Sequence, residues 1–174
     1  ASKNAAAVAL QGKSVDLIVT DWFWVSRQRS QKRMFSFIPH SMAAGGLMVS
    51  DKSKINDIND LKGKKIGIAG GSIDKSWLIF RAYYQDLFGK DLRKDSEQIF
   101  GAPPLLNKKI EQGSFDAILT YWPYQARLMS KDFKTIVNVT DVIGKLGIEG
   151  NIPVIGWVFS CLLYTSDAAD DDRG

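Results

Sequence analysis

Residues 14–27 read SVDLIVTDWFWVSR, and residues 114–127 read SFDAILTYWPYQAR. When one stretch is laid over the other at an offset of 100, serine, aspartate, isoleucine, threonine, tryptophan and arginine coincide. Each stretch holds a short apolar run that ends in Thr-x-Trp, and a segment of helical character precedes it. The repeat predicts two copies of one unit: a helix, a short turn, a buried strand and an aromatic turn into a new helix.

The apolar runs at 15–20 and 115–120 are nearly continuous, which is typical of parallel strands covered on both faces. In open α/β sheets, ligands bind just beyond the carboxyl ends of such strands. The two copies place Trp22 and Trp122 at this same point. We therefore expect an α/β protein with two similar lobes and a ligand cleft between them.

The composition excludes several other classes of protein. The chain has 174 residues with one cysteine and one histidine, so a disulfide framework, a cysteine-built zinc site and a Ser-His-Asp triad have too few residues to draw on. No apolar run is long enough to span a bilayer. A net charge of +4 gives no sign of nucleic acid binding. We expect no catalytic residues, no cofactor and no metal.

The segment between the copies predicts strands, short turns and one long helix. A basic turn leads into a strand near 64–69, and Gly70, Gly71 and Ser72 then open a helix that runs to Phe88. Free N–H groups at such a helix start, with the Ser72 hydroxyl, could hold a polar ligand group. The plainer alternative is that Ser72 only caps the helix. The other predicted elements are strands at 33–39, 45–50, 97–100, 133–139 and 154–159, a short helix at 55–61, and a loop with a short helical stretch at 144–151.

Three motifs in order resemble a known family: VDLI at 15–18, DLKGKKIG at 60–67 and DAILTYWPY at 116–124. The sequence is similar to the solute-binding proteins of ABC importers, in the group serving nitrate, taurine, aliphatic sulfonates and thiamine-precursor pyrimidines. The resemblance covers about residues 5–160. It implies the type II periplasmic-binding-protein fold, in which two α/β lobes joined by two crossovers trap a solute by closing.

The resemblance also implies how the chain divides. Residues 1–50 would form part of lobe 1, residues 51–155 a complete lobe 2, and residues 156–160 the return crossover. On this interpretation lobe 1 is truncated, the chain is an internal fragment, and apolar surface is exposed where a central strand is missing. Residues 161–174 change character abruptly and resemble a translated sequencing adapter, so we expect a non-native tail; a genuine solvated acidic tail is the alternative.

The predicted binding residues come from the two strand ends and the glycine turn. Trp22 and Trp122 would supply apolar or stacking faces, and Ser72 a hydrogen-bond donor and acceptor. The full predicted set is Asp21, Trp22, Gly71, Ser72, Asp74, Tyr121 and Trp122.

Two of these residues, Asp21 and Asp74, bear on the charge of the solute. Carboxylates repel a sulfonate or nitrate unless an arginine intervenes, and the predicted cleft loops contain no arginine. The sequence therefore favours a neutral or cationic solute over a sulfonate or nitrate. Heteroaromatic compounds are candidates of this class.

The resemblance implies a periplasmic or extracytoplasmic binding protein that is a monomer when intact. Its partners would be a small-molecule solute and an ABC permease in the inner membrane, with no nucleic acid. Two other functions stay open. One is an enzyme on the same fold, similar to a pyrimidine synthase, which would need Asp21 or His40 as an acid–base group. The other is the effector-sensing domain of a transcription regulator.

Overall fold

Two units, each with its own sheet, make up the part of the chain that this computed structural model describes, residues 3–149 and 152–161. Unit 1 comprises Ala1–Met42 and Ile152–Gly174, and unit 2 comprises Ala43–Asn151. The chain thus passes from one unit to the other twice. The predicted tail lies outside the described residues, apart from Cys161.

Helices and strands alternate along most of the chain. The helices are α1 (Lys3–Gln11), α2 (Trp22–Ser30), α3 (Lys75–Phe88), α4 (Leu92–Asp95), α5 (Pro103–Glu111), α6 (Trp122–Met129) and α7 (Val139–Lys145). The strands are β1 (Leu17–Asp21), β2 (Phe35–Ser41), β3 (Gly46–Ser50), β4 (Lys65–Ala69), β5 (Glu97–Gly101), β6 (Ala117–Thr120), β7 (Phe133–Asn138) and β8 (Ile155–Ser160), and a 3-10 turn spans Ile58–Leu61. No helix among the described residues is long and apolar enough to cross a membrane.

Unit 1 is a three-stranded sheet in the order β1-β8-β2, and β8 runs antiparallel to both of its neighbours. One face of this sheet is buried, since Ile18 and Val158 join a core with Leu10, Trp24 and Phe35. Helices α1 and α2 supply the other side of that core. The repeat's first copy therefore forms the predicted helix, strand and helix.

The opposite face of β1 differs from the prediction that both of its faces are covered. Leu17 and Val19 expose 48% and 45% of their surface, while Ile18 between them is buried. The cause is the packing: within the described residues, helices lie against one face of this sheet only. Phe159 and Trp157 of β8 pair in register with Leu17 and Val19. The apolar face therefore extends across two strands.

Unit 2 is a five-stranded sheet in the order β5-β4-β6-β3-β7. Strands β5, β4 and β6 are parallel, whereas β3 runs antiparallel to β6 and β7. Every residue of β6 is buried, so here the continuous apolar run does mark a strand covered on both faces. One layer of the core packs Met48, Ile118 and Phe115 against α5 and α6.

Strand β3 corrects the predicted lobe boundaries. The sequence assigned residues up to 50 to lobe 1, but β3 pairs with two strands of unit 2 and buries Leu47, Met48 and Val49 completely. The first crossing therefore falls at Met42, and the second at Ile152 rather than after 155. Boundary predictions fail in this way because an apolar strand fits either sheet until its partners are known.

Two helix assignments also needed correction. Helix α3 begins at Lys75 with Asp74 as its N-cap, and not at Ser72, because the Asp74 carboxylate accepts a hydrogen bond from the Ser76 N–H. Helix α7 begins at the last residue of a predicted strand, Val139, covers residues 140–143, for which no element was predicted, and ends in the predicted loop. A reciprocal capping box between Asn138 and Asp141 starts it, and its apolar positions are too few for a clear helical period.

Gly45 lets the chain enter β3 directly beneath the end of β6. Its φ is +106°, in the region that favours glycine, and its carbonyl accepts a hydrogen bond from the Val139 N–H. A Cβ atom placed here would lie 2.7 Å from the Tyr121 Cα and 2.9 Å from the Trp122 N, and closer still to the Thr120 carbonyl oxygen. The position therefore has no room for a side chain.

Replacing this glycine tests how closely the two segments pack. Gly45→Ala is expected to lower the free energy of unfolding by about 2 to 3 kcal/mol or more, because it adds both backbone strain and overlap with backbone atoms. Gly71→Ala is the matched control, since a Cβ there meets nothing within 4 Å, and about 0.5 kcal/mol or less is expected. Urea unfolding followed by near-UV circular dichroism measures both. Equal losses in the two variants would contradict the close approach.

An ion pair fastens α3 to the turn that precedes α4. Two Arg81 N–H groups donate to the two Asp91 oxygens at 2.8 and 2.7 Å. This hydrogen bonding, helped by the Arg93 N–H and the nearby guanidinium charges, lowers the pKa of Asp91 from 3.8 to about 2. A carboxyl group whose pKa is depressed in the folded state stabilises the fold above its unfolded pKa, and that contribution is lost as the pH falls.

The pH dependence of unfolding should show this contribution. Asp91→Asn is expected to cost about 1 to 2 kcal/mol at pH 7, after allowance for partial solvent screening, because the ionised pair is lost. The difference between the wild type and the variant should shrink as the pH falls from about 4 to about 2. Urea unfolding at several pH values gives both numbers. A gap that stays constant down to pH 2 would mean that Asp91 has no depressed pKa.

Candidate functional site

The carboxyl ends of β4, β5 and β6 meet at one edge of the sheet in unit 2, because these strands are parallel neighbours. We call this the strand-end edge of unit 2, formed by residues 70–75 after β4 and by Tyr121 and Trp122 after β6. The loop after β4 is exposed at Gly70, Gly71, Ser72 and Ile73, and it becomes buried at Asp74. The predicted residues of the second lobe thus lie on two adjacent connections.

Asp74 is the residue that organises this edge. It is buried, and its Oδ1 accepts the Ser76 N–H at 2.9 Å, which caps α3. Its Oδ2 accepts a hydrogen bond from the Tyr121 hydroxyl at 2.8 Å. One carboxylate therefore starts the helix after β4 and holds the aromatic residue after β6.

Tyr121 is half-buried and contacts both connections. Its hydroxyl also lies 3.3 Å from the Ala69 carbonyl oxygen at the end of β4. The ammonium of Lys75 lies over its ring, 5.2 Å from the centroid, which is a distance typical of cation–π contacts. The Asp74 carboxylate thus holds the Tyr121 hydroxyl, and the Lys75 ammonium contacts one face of the Tyr121 ring.

Trp122 is the first residue of α6, and 54% of its surface is exposed. Pro123 follows it in the first turn of the helix, where a missing N–H leaves no hydrogen bond unmade. An indole this exposed at the end of a buried strand presents an apolar face to solvent. Together with the open loop at Gly71 and Ser72, it gives the edge both an apolar and a polar component.

The equivalent strand end in unit 1 has a different arrangement. Asp21 is buried and caps α2, because its Oδ1 accepts the Trp24 N–H at 2.9 Å. Trp22 is 37% exposed and stacks on Phe23, with ring centroids 4.0 Å apart. Asp21 therefore caps α2 and is buried, whereas Trp22 has substantial exposed surface.

Both carboxylates that suggested a neutral or cationic solute accept hydrogen bonds from helix N–H groups. Asp21 and Asp74 are buried, so neither presents its charge openly to solvent. Capping hydrogen bonds spread that charge over the N-terminus of each helix. Their effect on a ligand is therefore weaker than the sequence suggested.

Sequence reasoning missed Lys75. It follows Asp74 directly, and a lysine in the first turn of an amphipathic helix normally points to solvent. The local pattern of apolar residues gave no signal that this one is buried. A charge next to a predicted site residue, at a helix end that disfavours cations, could have drawn attention to it.

A separate cavity of about 560 Å³ lies in unit 1, and none of the predicted binding residues lines it. Its walls come from the turn before β2 and the end of β8, and they include Gln11, Lys32, Arg33, Met34, Phe35, Ser160 and Cys161. Among the described residues, no group of three or more histidine, cysteine, aspartate or glutamate side chains could hold a metal ion.

Solved substrate-binding proteins share the fold of this chain. The periplasmic aliphatic sulphonate-binding protein SsuA of Escherichia coli matches 97% of this chain and 55% of its own, with a TM-score of 0.72 and 20% identity. The ligand-binding component of an ABC-type import system from Staphylococcus aureus matches 94% and 54%, with a TM-score of 0.68 and 12% identity. The alkanesulfonate-binding protein SsuA of Xanthomonas axonopodis, bound to MOPS, matches 91% and 52%, with a TM-score of 0.67 and 19% identity.

These similarities confirm the predicted fold class, the type II periplasmic-binding-protein architecture. The chain spans about half the length of each of these solved proteins. Unit 2 carries the five-stranded sheet, and the three-stranded unit 1 is the truncated lobe. No protein-family model matches the sequence, and no curated protein matches it either.

The link between Tyr121 and Asp74 can be measured as a coupling energy. Tyr121→Phe is expected to cost about 1 to 2 kcal/mol of unfolding free energy, because it leaves a buried carboxylate oxygen without its donor. Asp74→Ala should cost about as much or more, since it also removes the cap of α3. In a double-mutant cycle the two losses should be non-additive by about 1 kcal/mol.

Tyr124→Phe provides the matched control for removing a hydroxyl. The Tyr124 ring faces Arg127, and its hydroxyl makes no hydrogen bond within the described part of the chain. We expect a change of about 0.5 kcal/mol or less from this variant. Strict additivity of the Tyr121 and Asp74 variants in urea unfolding would rule out the bond as a stabilising contact.

Proposed function

We propose that this chain belongs to the solute-binding component of an ABC importer and that it takes part in capturing a small organic solute between two lobes. One observation carries the proposal. The chain shares its fold with ABC-importer binding proteins. In this fold, the strand-end edge of unit 2 combines an open Gly-Gly-Ser loop, the exposed indole of Trp122 and a tyrosine, Tyr121, whose hydroxyl is hydrogen-bonded to Asp74. This edge is where ligands bind in open α/β sheets.

The residues of unit 2 have distinct proposed roles. Trp122 would cover an apolar or aromatic face of the solute, because half of its own surface is exposed. Ser72 and the backbone around Gly71 would make hydrogen bonds to polar groups, since both residues are exposed and Gly71 has open space beside it. Asp74 and Tyr121 would act together, with the carboxylate fixing the position of the ring.

Unit 1 would contribute Trp22 and Asp21 from the first copy of the repeat. Trp22, which is 37% exposed and stacks on Phe23, would present a second aromatic surface. Asp21 would act through the helix that it caps. Closure of one lobe on the other by a hinge would bring both sets of residues to a single solute.

The proposed solute is neutral or cationic rather than a sulfonate or nitrate. Strong anion binding normally uses arginine, and the arginines of unit 2 are engaged elsewhere: Arg81 and Arg93 lie against Asp91, and Arg127 lies over Tyr124. Two of the solved proteins of similar fold are described as sulfonate-binding. A preference for anionic solutes is therefore the main competing outcome.

The proposal assigns the intact protein to the periplasm or another extracytoplasmic location. Its partner would be an ABC permease in the inner membrane, and it would act as a monomer without nucleic acid. It would change no bonds in the solute, so no residue is given a catalytic role. The support for these points is the fold shared with binding proteins described as periplasmic or as import components.

Calorimetric titration of the protein expressed from its complete open reading frame tests the proposal. We expect binding of at least one neutral or cationic heteroaromatic solute. Trp122→Ala should weaken that binding about tenfold or more, because it removes a stacking face. Met129→Ala is the matched control, since Met129 is similarly exposed on the same helix but lies at its far end, and no more than a twofold change is expected.

Three results would count against this function. Tight taurine or nitrate binding with no response to neutral or cationic solutes would reject the proposed charge class. Equal effects of Trp122→Ala and Met129→Ala would reject the site. Chemical conversion of a bound compound would favour the enzyme on the same fold.

A further inference from the structure

Lys75 is buried in a place that is unfavourable for a cation. Only 5% of its surface is exposed, although lysine is almost never fully buried in proteins without a compensating interaction. It is also the first residue of α3, where the positive end of the helix dipole repels an ammonium group. A solvated lysine at this position would avoid both penalties, so contacts within the protein must compensate for its burial and give it a role there.

The surroundings of Lys75 supply that role. Its ammonium lies over the ring of Tyr121, whose hydroxyl bonds to Asp74. The lysine and the aspartate are neighbours in sequence and both contact the same tyrosine. The strand-end edge of unit 2 therefore holds one negative and one positive charge around a single aromatic ring.

We propose that Lys75 determines the charge selectivity of this edge by balancing Asp74, so that the site prefers an uncharged solute over a cationic one. The inference rests on the proposed function and narrows its solute class from neutral or cationic to neutral. Without the ammonium group, the buried carboxylate would leave the edge with a net negative charge and would attract cations. When the Lys75 ammonium is present, neither a cation nor an anion gains much binding free energy from this edge.

The size of the effect follows from the strength of charge–charge interactions. A unit charge in a partly solvated site changes the binding of a nearby charged ligand several-fold. The cation–π contact also holds the tyrosine ring, so Lys75 is in addition a positioning residue. Charge selectivity separates these two roles, because ring positioning alone would affect ligands of every charge alike.

The experiment uses three ring compounds of nearly the same shape: nicotinamide, 1-methylnicotinamide and nicotinate, which are neutral, cationic and anionic. Their affinities for the protein from the complete open reading frame are measured by calorimetric titration. We expect the wild type to bind nicotinamide most tightly. Lys75→Met, which keeps an unbranched side chain only one atom shorter, should raise the affinity ratio of 1-methylnicotinamide to nicotinamide about five- to tenfold.

Three further variants keep the test decisive. Lys75→Arg retains the charge and should leave the ratio within twofold of the wild type. Lys145→Met removes another cation from a tyrosine face in unit 2, since the Lys145 ammonium lies 5.6 Å from the Tyr83 ring centroid, and it should also leave the ratio unchanged. If Lys75→Met fails to fold, Lys75→Gln removes the same charge while keeping a polar end.

The outcomes distinguish the inference from the function on which it rests. Probe binding with a ratio that Lys75→Met and Lys75→Gln change by less than twofold overturns the inference alone. An equal shift in Lys145→Met overturns it as well, because the effect would then be a general loss of positive charge. A wild-type protein that binds none of the three probes overturns both the solute class and the role of Lys75.

Discussion

The hydrogen bond between Tyr121 and Asp74 joins two connections that are 47 residues apart in the chain. It exists because β4 and β6 are parallel neighbours, so their carboxyl ends meet at one edge. The same carboxylate also caps α3. The start of the helix, the position of the tyrosine and the opening of the loop therefore depend on one buried acid, and the candidate site depends on all three.

The two copies of the repeat show how one local pattern serves two environments. Both form a strand that ends in Thr-x-Trp and turns into a helix. At the position where they differ, Asp21 caps its own helix, whereas Tyr121 bonds to the cap of a neighbouring helix. The second copy is thereby linked to its sheet neighbour, whereas the hydrogen bond from the Trp24 N–H to Asp21 lies within the first copy itself.

Close packing imposes the other constraint at this edge. Gly45 passes so near the end of β6 that only glycine fits, and this approach lets β3 run antiparallel between β6 and β7. The contrast with β1 is instructive, since that strand exposes Leu17 and Val19 on one face. The same kind of apolar run is completely buried in β6 because helices and strands surround it on every side.

The amino-acid pattern alone determined the type and order of most elements, and the resemblance of three motifs to a known family predicted the type II periplasmic-binding-protein fold. These features are local: apolar runs form strands, glycine and aspartate mark turns and caps, and strand ends follow from both. Tertiary structure decided what depends on distant partners. It assigned β3 to unit 2, moved the start of α3 to Lys75, buried that lysine beside Tyr121, and made Asp21 and Asp74 buried helix caps. The sequence does not show whether a charged side chain is exposed or buried, because burial depends on neighbours that are distant in the chain.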